Sequence, residues 1–192
     1  MQRIWILSEL FYPDETSTSF ILTKIANHMA KKARVQVITA STDNAQPSAS
    51  FSLNPLIKVK RVQKWLENKN NLLIRFINFI HISIALTYIL AKKVKKNAKV
   101  FIVTNPVPLI LLVTMLKKIT PFKLYVLVHD VFPENTISAG IIKKRTGISY
   151  RLMSKAFTWA YLQTDKIIVL GRDMREVFIK KSSQLTDKLI II

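Results

Sequence analysis

Residues 99–129 read KVFIVTNPVPLILLVTMLKKITPFKLYVLVH, and the order of patterns in this stretch decides the fold. Residues 99–104 are a short apolar run rich in β-branched and aromatic side chains, the signature of a strand buried on both faces. After Asn105 and two prolines, the apolar positions of 108–118 take up helical spacing and end on Lys117 and Lys118. Residues 124–129 are again a continuous apolar strand. Strands of this kind separated by helices make a parallel sheet covered on both sides.

The same alternation runs outward in both directions. Strands are expected at 3–8, 35–39, 57–62, 166–170 and 188–192. Helices are expected from Ser19, over about 71–96 as one helix or a helix pair, and at 149–163 and 172–181. A loop is expected over 130–140. The predicted fold class is α/β: one doubly wound, mostly parallel, Rossmann-like sheet with helices on both faces, spanning residues 1–192 as a single domain.

Composition narrows the function classes. With 192 residues, 49% of them hydrophobic, the chain can bury a sizeable core, and disorder is excluded. There is no cysteine, which removes disulfides, thiolate zinc sites and thiol nucleophiles and fits a reducing compartment. Thirty Lys and Arg stand against eleven Asp and Glu, a formal charge of +19, so an anionic partner is expected.

The charge is uneven. From Asn68 through His129 there are ten basic residues and no acid, and the same stretch holds the most apolar windows, 72–90 and 107–116. Lys92, Lys93, Lys95 and Lys96 follow directly on a run of Leu, Ile and Phe. This order points to an anionic membrane surface rather than nucleic acid, with apolar groups entering the interface and lysines meeting headgroups. Arg75, and the basic loop of Lys143, Lys144 and Arg145, are expected to share that contact. Residues 72–90 have roughly the 20 residues needed to cross a bilayer. They also carry Arg75, Asn78, His81, Ser83 and Thr87, so a buried or interfacial helix is expected instead. The short apolar run at 4–7 ends at Ser8-Glu9 and makes no signal peptide, which leads to the expectation of a cytoplasmic chain peripheral to the inner membrane face.

Ligands of doubly wound sheets lie beyond the carboxyl ends of the strands. After the first strand come Glu9 and a hydroxyl-rich segment, Glu15, Thr16, Ser17, Thr18 and Ser19, which can either hold an anion at a helix N-terminus or merely cap that helix. No glycine precedes Gly140, so the G-x-G-x-x-G dinucleotide loop is missing. After the fourth strand comes Thr104-Asn105-Pro106-Val107-Pro108, where Asn105 is expected either to face the crevice or to belong to a merely rigid turn set by the prolines. After the fifth come His129 and Asp130, with Glu134 four residues on. A histidine there can hydrogen-bond substrate or shuttle a proton while a carboxylate orients it, and a packed structural histidine is the competing reading. No second His or Cys stands at metal-ligand spacing, and there is no G-x-S-x-G elbow, so metal and hydrolase readings are weak. After the sixth strand, Gly171 allows close approach and Arg172 can meet a phosphate.

Four segments in register carry a family resemblance: residues 9–18 (ELFYPDETST), 103–106 (VTNP), 129–134 (HDVFPE) and 165–174 (DKIIVLGRDM). Together they resemble the N-terminal half of bacterial family 4 glycosyltransferases, in the subgroup building capsule, O-antigen or colanic-acid-type polysaccharides. The resemblance implies one half of a GT-B architecture, in which two Rossmann-like domains face across a cleft. It implies a retaining, metal-independent hexosyltransferase without a cofactor, whose nucleotide-sugar donor is a co-substrate. The implied acceptor is a polyprenyl-diphosphate-linked glycan. By this analogy His129 contacts the transferred sugar with Asp130 in support. Glu15, Thr16 and Ser17 line the cleft near the donor diphosphate, and Asn105, Glu134 and Arg172 complete the substrate-binding set.

Two departures accompany the resemblance. Thr16-Ser17 stands where many members carry a glycine pair, and the C-terminal donor-binding domain that the resemblance leads one to expect after 187–192 is not among these 192 residues. The chain alone is therefore expected to transfer sugar negligibly. Two alternatives are a membrane-docking subunit that completes its site with a separately encoded donor-binding partner, and a basic nucleic-acid-binding domain.

Overall fold

In the computed structural model, residues 2–41, 51–64, 72–138, 140 and 147–192 are described. Seven strands form one parallel sheet: β1 (Arg3–Ser8), β2 (Arg34–Ala40), β3 (Lys58–Val62), β4 (Lys99–Val103), β5 (Lys123–Val128), β6 (Lys166–Val169) and β7 (Leu189–Ile191). Their order is β3-β2-β1-β4-β5-β6-β7, every neighbouring pair parallel. The helices are α1 (Ser17–Ala30), α2 (Leu72–Ala91), α3 (Leu109–Ile119), α4 (Glu134–Ser138), α5 (Ile148–Leu162) and α6 (Arg172–Lys181), with a 3-10 segment at Ser183–Lys188. The doubly wound Rossmann-like sheet expected from the sequence is the fold observed.

Alternate residues of the strands feed two apolar layers, as a period-two pleat requires. Trp5, Leu7, Val100, Ile102, Leu124 and Val126 face the layer closed by α2, α3 and α5. Ile6, Val35, Val37, Phe101 and Leu127 face Leu22, Ala26 and Ala30 of α1. Each such large side chain taken out of water contributes on the order of 1.5–3 kcal/mol. At the amino ends of the strands, Asp165 accepts the Leu124 N–H at 2.8 Å and pairs with Lys117 at 2.5 Å and Lys123 at 3.0 Å. The last turn of α3, which carries Lys117, is thus tied to the start of β5.

Two expectations are sharpened in detail, and a third falls outside the described residues. Of the two alternatives for 71–96, the described residues show one helix, α2, ending at Ala91, and Asn97 takes a left-handed backbone (φ 65°) that asparagine tolerates before β4. The loop expected at 130–140 contains α4, and a 3-10 segment precedes β7. Lys143, Lys144 and Arg145 lie outside the described residues.

Candidate functional site

The chain runs β1 to β3 towards one edge of the sheet and returns to β4 on the other side of β1. The carboxyl ends of β1 and β4 therefore flank the switch point, where a crevice opens in folds of this kind. Glu9 follows β1, Asn105 lies just beyond β4, and His129 follows β5. Since adjacent strands lie about 4.8 Å apart, Glu9 and His129 stand roughly 10 Å from each other across β4.

Glu9 is held on both sides. Its N–H donates to the Asn105 carbonyl at 3.4 Å, and its carbonyl accepts from the Ala40 N–H at 3.3 Å and the Thr39 hydroxyl at 3.1 Å. Burial pushes its carboxyl above the ordinary value, against the opposing influence of Lys64, a side-chain hydrogen bond with Asn105, and Arg75. The site reading of the sequence did not assign Glu9. Its signal was a lone carboxylate directly after an apolar strand. Arg75, expected at a membrane, is exposed and lies within electrostatic reach of this carboxyl.

The loop after β1 is closed by Asp14, whose carboxylate accepts the Phe11 N–H at 3.3 Å, and is tied down by Arg61 of β3, which donates to the Tyr12 carbonyl at 2.5 Å. Burial raises the Asp14 carboxyl as well, against the Phe11 hydrogen bond and the cations Lys64 and Arg61. Thr16 is the N-cap of α1, its hydroxyl accepting the Ser19 N–H at 3.2 Å. That hydroxyl is committed to the helix end, the capping alternative of the sequence reading. Glu15 and Ser17 are exposed beside it.

His129 is half-buried, and its Nε2 is buried with no hydrogen-bond partner among the described residues. Burial holds its pKa below the usual imidazole value, with Asp130 opposing. The ring is therefore neutral at pH 7, with one nitrogen able to accept a hydrogen bond. Asp130 is exposed next to it. Buried Thr104, unassigned in the sequence reading, accepts the N–H groups of both His129 and Asp130.

Glu134 begins α4, and its carboxylate faces Lys181 of α6, with Nζ 2.7 Å from Oε1 and 2.6 Å from Oε2. The Tyr150 hydroxyl donates to Oε1 at 3.2 Å, and Lys181 also donates to the Phe132 carbonyl at 3.1 Å. Glu134 is thus already neutralised within the chain and anchors the HDVFPE loop to the far end of α6. Lys181 lies 47 residues along the chain from it, and no local pattern announced the pair. Arg172 is exposed on the first turn of α6. Lys95 and Lys96 lie at the other end of the sheet from His129, beside Gln2, Arg3 and Asn97 in a shallow depression.

The parallel sheet with its β1/β4 switch point has the Rossmann-like fold found in GT-B glycosyltransferases, the class its motifs resemble, and along nearly all its length the chain is similar to part of a probable glycosyltransferase. In particular, it is 31% identical over 182 residues to a probable glycosyltransferase, WbjE, of Pseudomonas aeruginosa. The alignment covers 94% of this chain and 44% of that protein, so the chain spans less than half of the relative's length. Two solved structures share the fold over the whole chain: TcCGT1 in complex with UDP (TM-score 0.62, 9% identity, 50% of that chain) and LpCGTa in complex with UDP (TM-score 0.58, 12% identity, 52% of that chain). No family model matches.

Proposed function

We propose that this chain is the acceptor-side half of a retaining family 4 glycosyltransferase, moving a hexose from a nucleotide sugar to a polyprenyl-diphosphate-linked glycan in cell-surface polysaccharide synthesis. The observation that carries the reading is the β1/β4 switch point, with Glu9, Asn105 and His129 at three adjacent strand ends, in a chain related along nearly all its length to a probable glycosyltransferase. In the transfer, the bond from the sugar's anomeric carbon to the donor phosphate breaks and a bond to the acceptor hydroxyl forms. The hydroxyl proton leaves with the nucleoside diphosphate. Neutral His129 would contact the transferred sugar through the accessible part of its half-buried ring, with Asp130 beside it. Asn105 and Glu9 would fix the acceptor hydroxyls by hydrogen bonds, which supplies orientation rather than bond-making. The exposed Glu15, Ser17 and Arg172 would line the donor diphosphate side. A second domain or a partner subunit would bind most of the nucleotide sugar, so the 192-residue chain by itself would not turn over. The site would sit at the cytoplasmic face of the membrane that carries the acceptor.

The test is titration of the chain with neutral nanodiscs carrying a polyprenyl-diphosphate N-acetylhexosamine, against empty discs. Preferential binding to loaded discs that His129→Ala weakens at least ten-fold, with no release of UDP from UDP-sugars, is the expected result. Equal binding to loaded and empty discs overturns the acceptor assignment, and steady UDP release by the chain overturns the need for a second half.

A further inference from the structure

α2 has two apolar faces, and among the described residues only one of them is covered by the fold. Ile82, Leu86 and Leu90 are fully buried against the sheet and α3. On the other side Phe76, Ile80, Ile84 and Tyr88 recur every fourth residue, so they form one continuous stripe about 18 Å long. They are exposed, Phe76 at 56% and Tyr88 at 58%, with Ile77 beside them. Exposed apolar residues recur on the helices packed on the same side of the sheet: Met115 and Ile119 on α3 and Ile148 and Leu152 on α5, again at intervals of four. An apolar surface of this extent on a soluble domain marks a docking face.

The charges around the stripe identify what it meets. α2, α3 and α5 contain no Asp or Glu. Exposed cations frame the apolar residues: Arg75, Lys92 and Lys93 near the two ends of α2, Lys118 on α3, and Arg151 and Lys155 on α5. Lys92 Nζ sits 4.2 Å above the Tyr88 ring, a cation–π contact that places a positive charge directly at the end of the stripe. Apposing two copies of this face would bring like charges together, so self-association is opposed. A surface that is apolar on its axis and only cationic on its margins matches a bilayer with anionic headgroups.

We infer that the outer face of α2, with the exposed tips of α3 and α5, docks in the plane of an anionic phospholipid surface. By length and composition residues 74–91 are long and apolar enough to cross a bilayer. A crossing would pull Ile82, Leu86 and Leu90 out of the domain core, whereas lying flat keeps them there. The polar groups of the helix suit this pose too, since the Ser83 hydroxyl donates to the Phe79 carbonyl at 2.6 Å and that of Thr87 to the Ser83 carbonyl at 2.7 Å. The pose deepens the membrane side of the proposed function but rests on this surface alone.

The chain has no cysteine, so single labels can be placed cleanly. Ile84→Cys on the stripe, and His28→Cys on the opposite side of the sheet, would each carry an environment-sensitive fluorophore and be mixed with vesicles of phosphatidylethanolamine and about 30% phosphatidylglycerol. A blue shift at position 84 and none at 28 is expected. In sedimentation with the same vesicles, Phe76→Ser/Ile80→Ser/Ile84→Ser should lose at least ten-fold in partitioning with its circular dichroism unchanged. Lys92→Gln/Lys93→Gln should lose roughly five-fold per cation in low salt only. The inference is overturned if both labels shift alike, if the triple variant binds as the parent does, or if the parent resists alkaline extraction as a spanning protein. A lipid-free dimer abolished by the triple variant would assign the face to a second copy instead. These vesicles contain no acceptor, so failure here leaves the glycosyl-transfer reading standing, and failure of acceptor binding leaves the docking face standing.

Discussion

The hydroxyl of Thr104, at the end of β4, accepts the backbone N–H of His129, at the end of β5, at 3.1 Å, and that of Asp130 at 3.3 Å. Neither His129 nor Asp130 can then move without leaving a donor unpaired, so one buried threonine sets where the imidazole stands. The site is positioned from the neighbouring strand.

Thr104→Val keeps the shape and removes the acceptor. Two part-buried N–H groups lose their partner, at about 1–3 kcal/mol for such a loss. The urea midpoint should fall accordingly, while Thr104→Ser stays near the parent. An unchanged midpoint in the valine variant would show that the hydroxyl does not hold the loop.

His129 should titrate below the usual imidazole pKa of 6.5, because burial disfavours its cation. The folded pKa being depressed, its contribution to stability is complete above about 6.5. That contribution is lost as the pH falls from there through the folded value. An NMR titration of the imidazole signals, assigned by their loss in His129→Ala, measures this. A midpoint at or above 6.5 would mean the ring is not sheltered.

The Glu9 carboxyl is raised by burial, so the sign is opposite. Its contribution is present below the unfolded value and is lost as the pH rises through the folded one. Glu9→Gln keeps a hydrogen-bonding partner for Asn105 and removes the buried charge. It should therefore raise the urea midpoint at pH 7.5, and that gain should vanish near pH 4. In a complete enzyme the same variant should lower transfer, so stability and activity move in opposite directions.

Lys181→Met leaves Glu134 without its buried cation, whose side chain is 5% exposed. Breaking a buried pair from one side costs about 3–5 kcal/mol, and the partial exposure of Glu134 favours the lower end. Adding Glu134→Gln should restore most of the loss. A double-mutant cycle in urea reads the coupling, and additive losses would argue that the pair does not act as a unit.

The Rossmann-like order was legible because fully buried parallel strands are continuous apolar runs, and 99–104 and 124–129 show them without ambiguity. His129 and Asn105 were legible because each follows such a run. Glu134 was legible as a carboxylate but not as an anchored one, since Lys181 comes from a helix far along the chain. Thr16 could cap or bind in the sequence, and the backbone of α1 commits it to capping.

The sequence by itself determined that the sheet is parallel, that its strand ends carry Glu9, Asn105 and His129, and that α2 is apolar and flanked by cations, for these are local properties of periodicity and composition. Tertiary structure alone decided that β4 returns beside β1, which brings those three ends together, and that Thr104 and Lys181 hold the loop in place. It also decided which face of α2 is spent on the core. A one-dimensional pattern in which apolar residues encircle a helix cannot say which side the sheet will cover; only packing leaves Phe76, Ile80, Ile84 and Tyr88 outside.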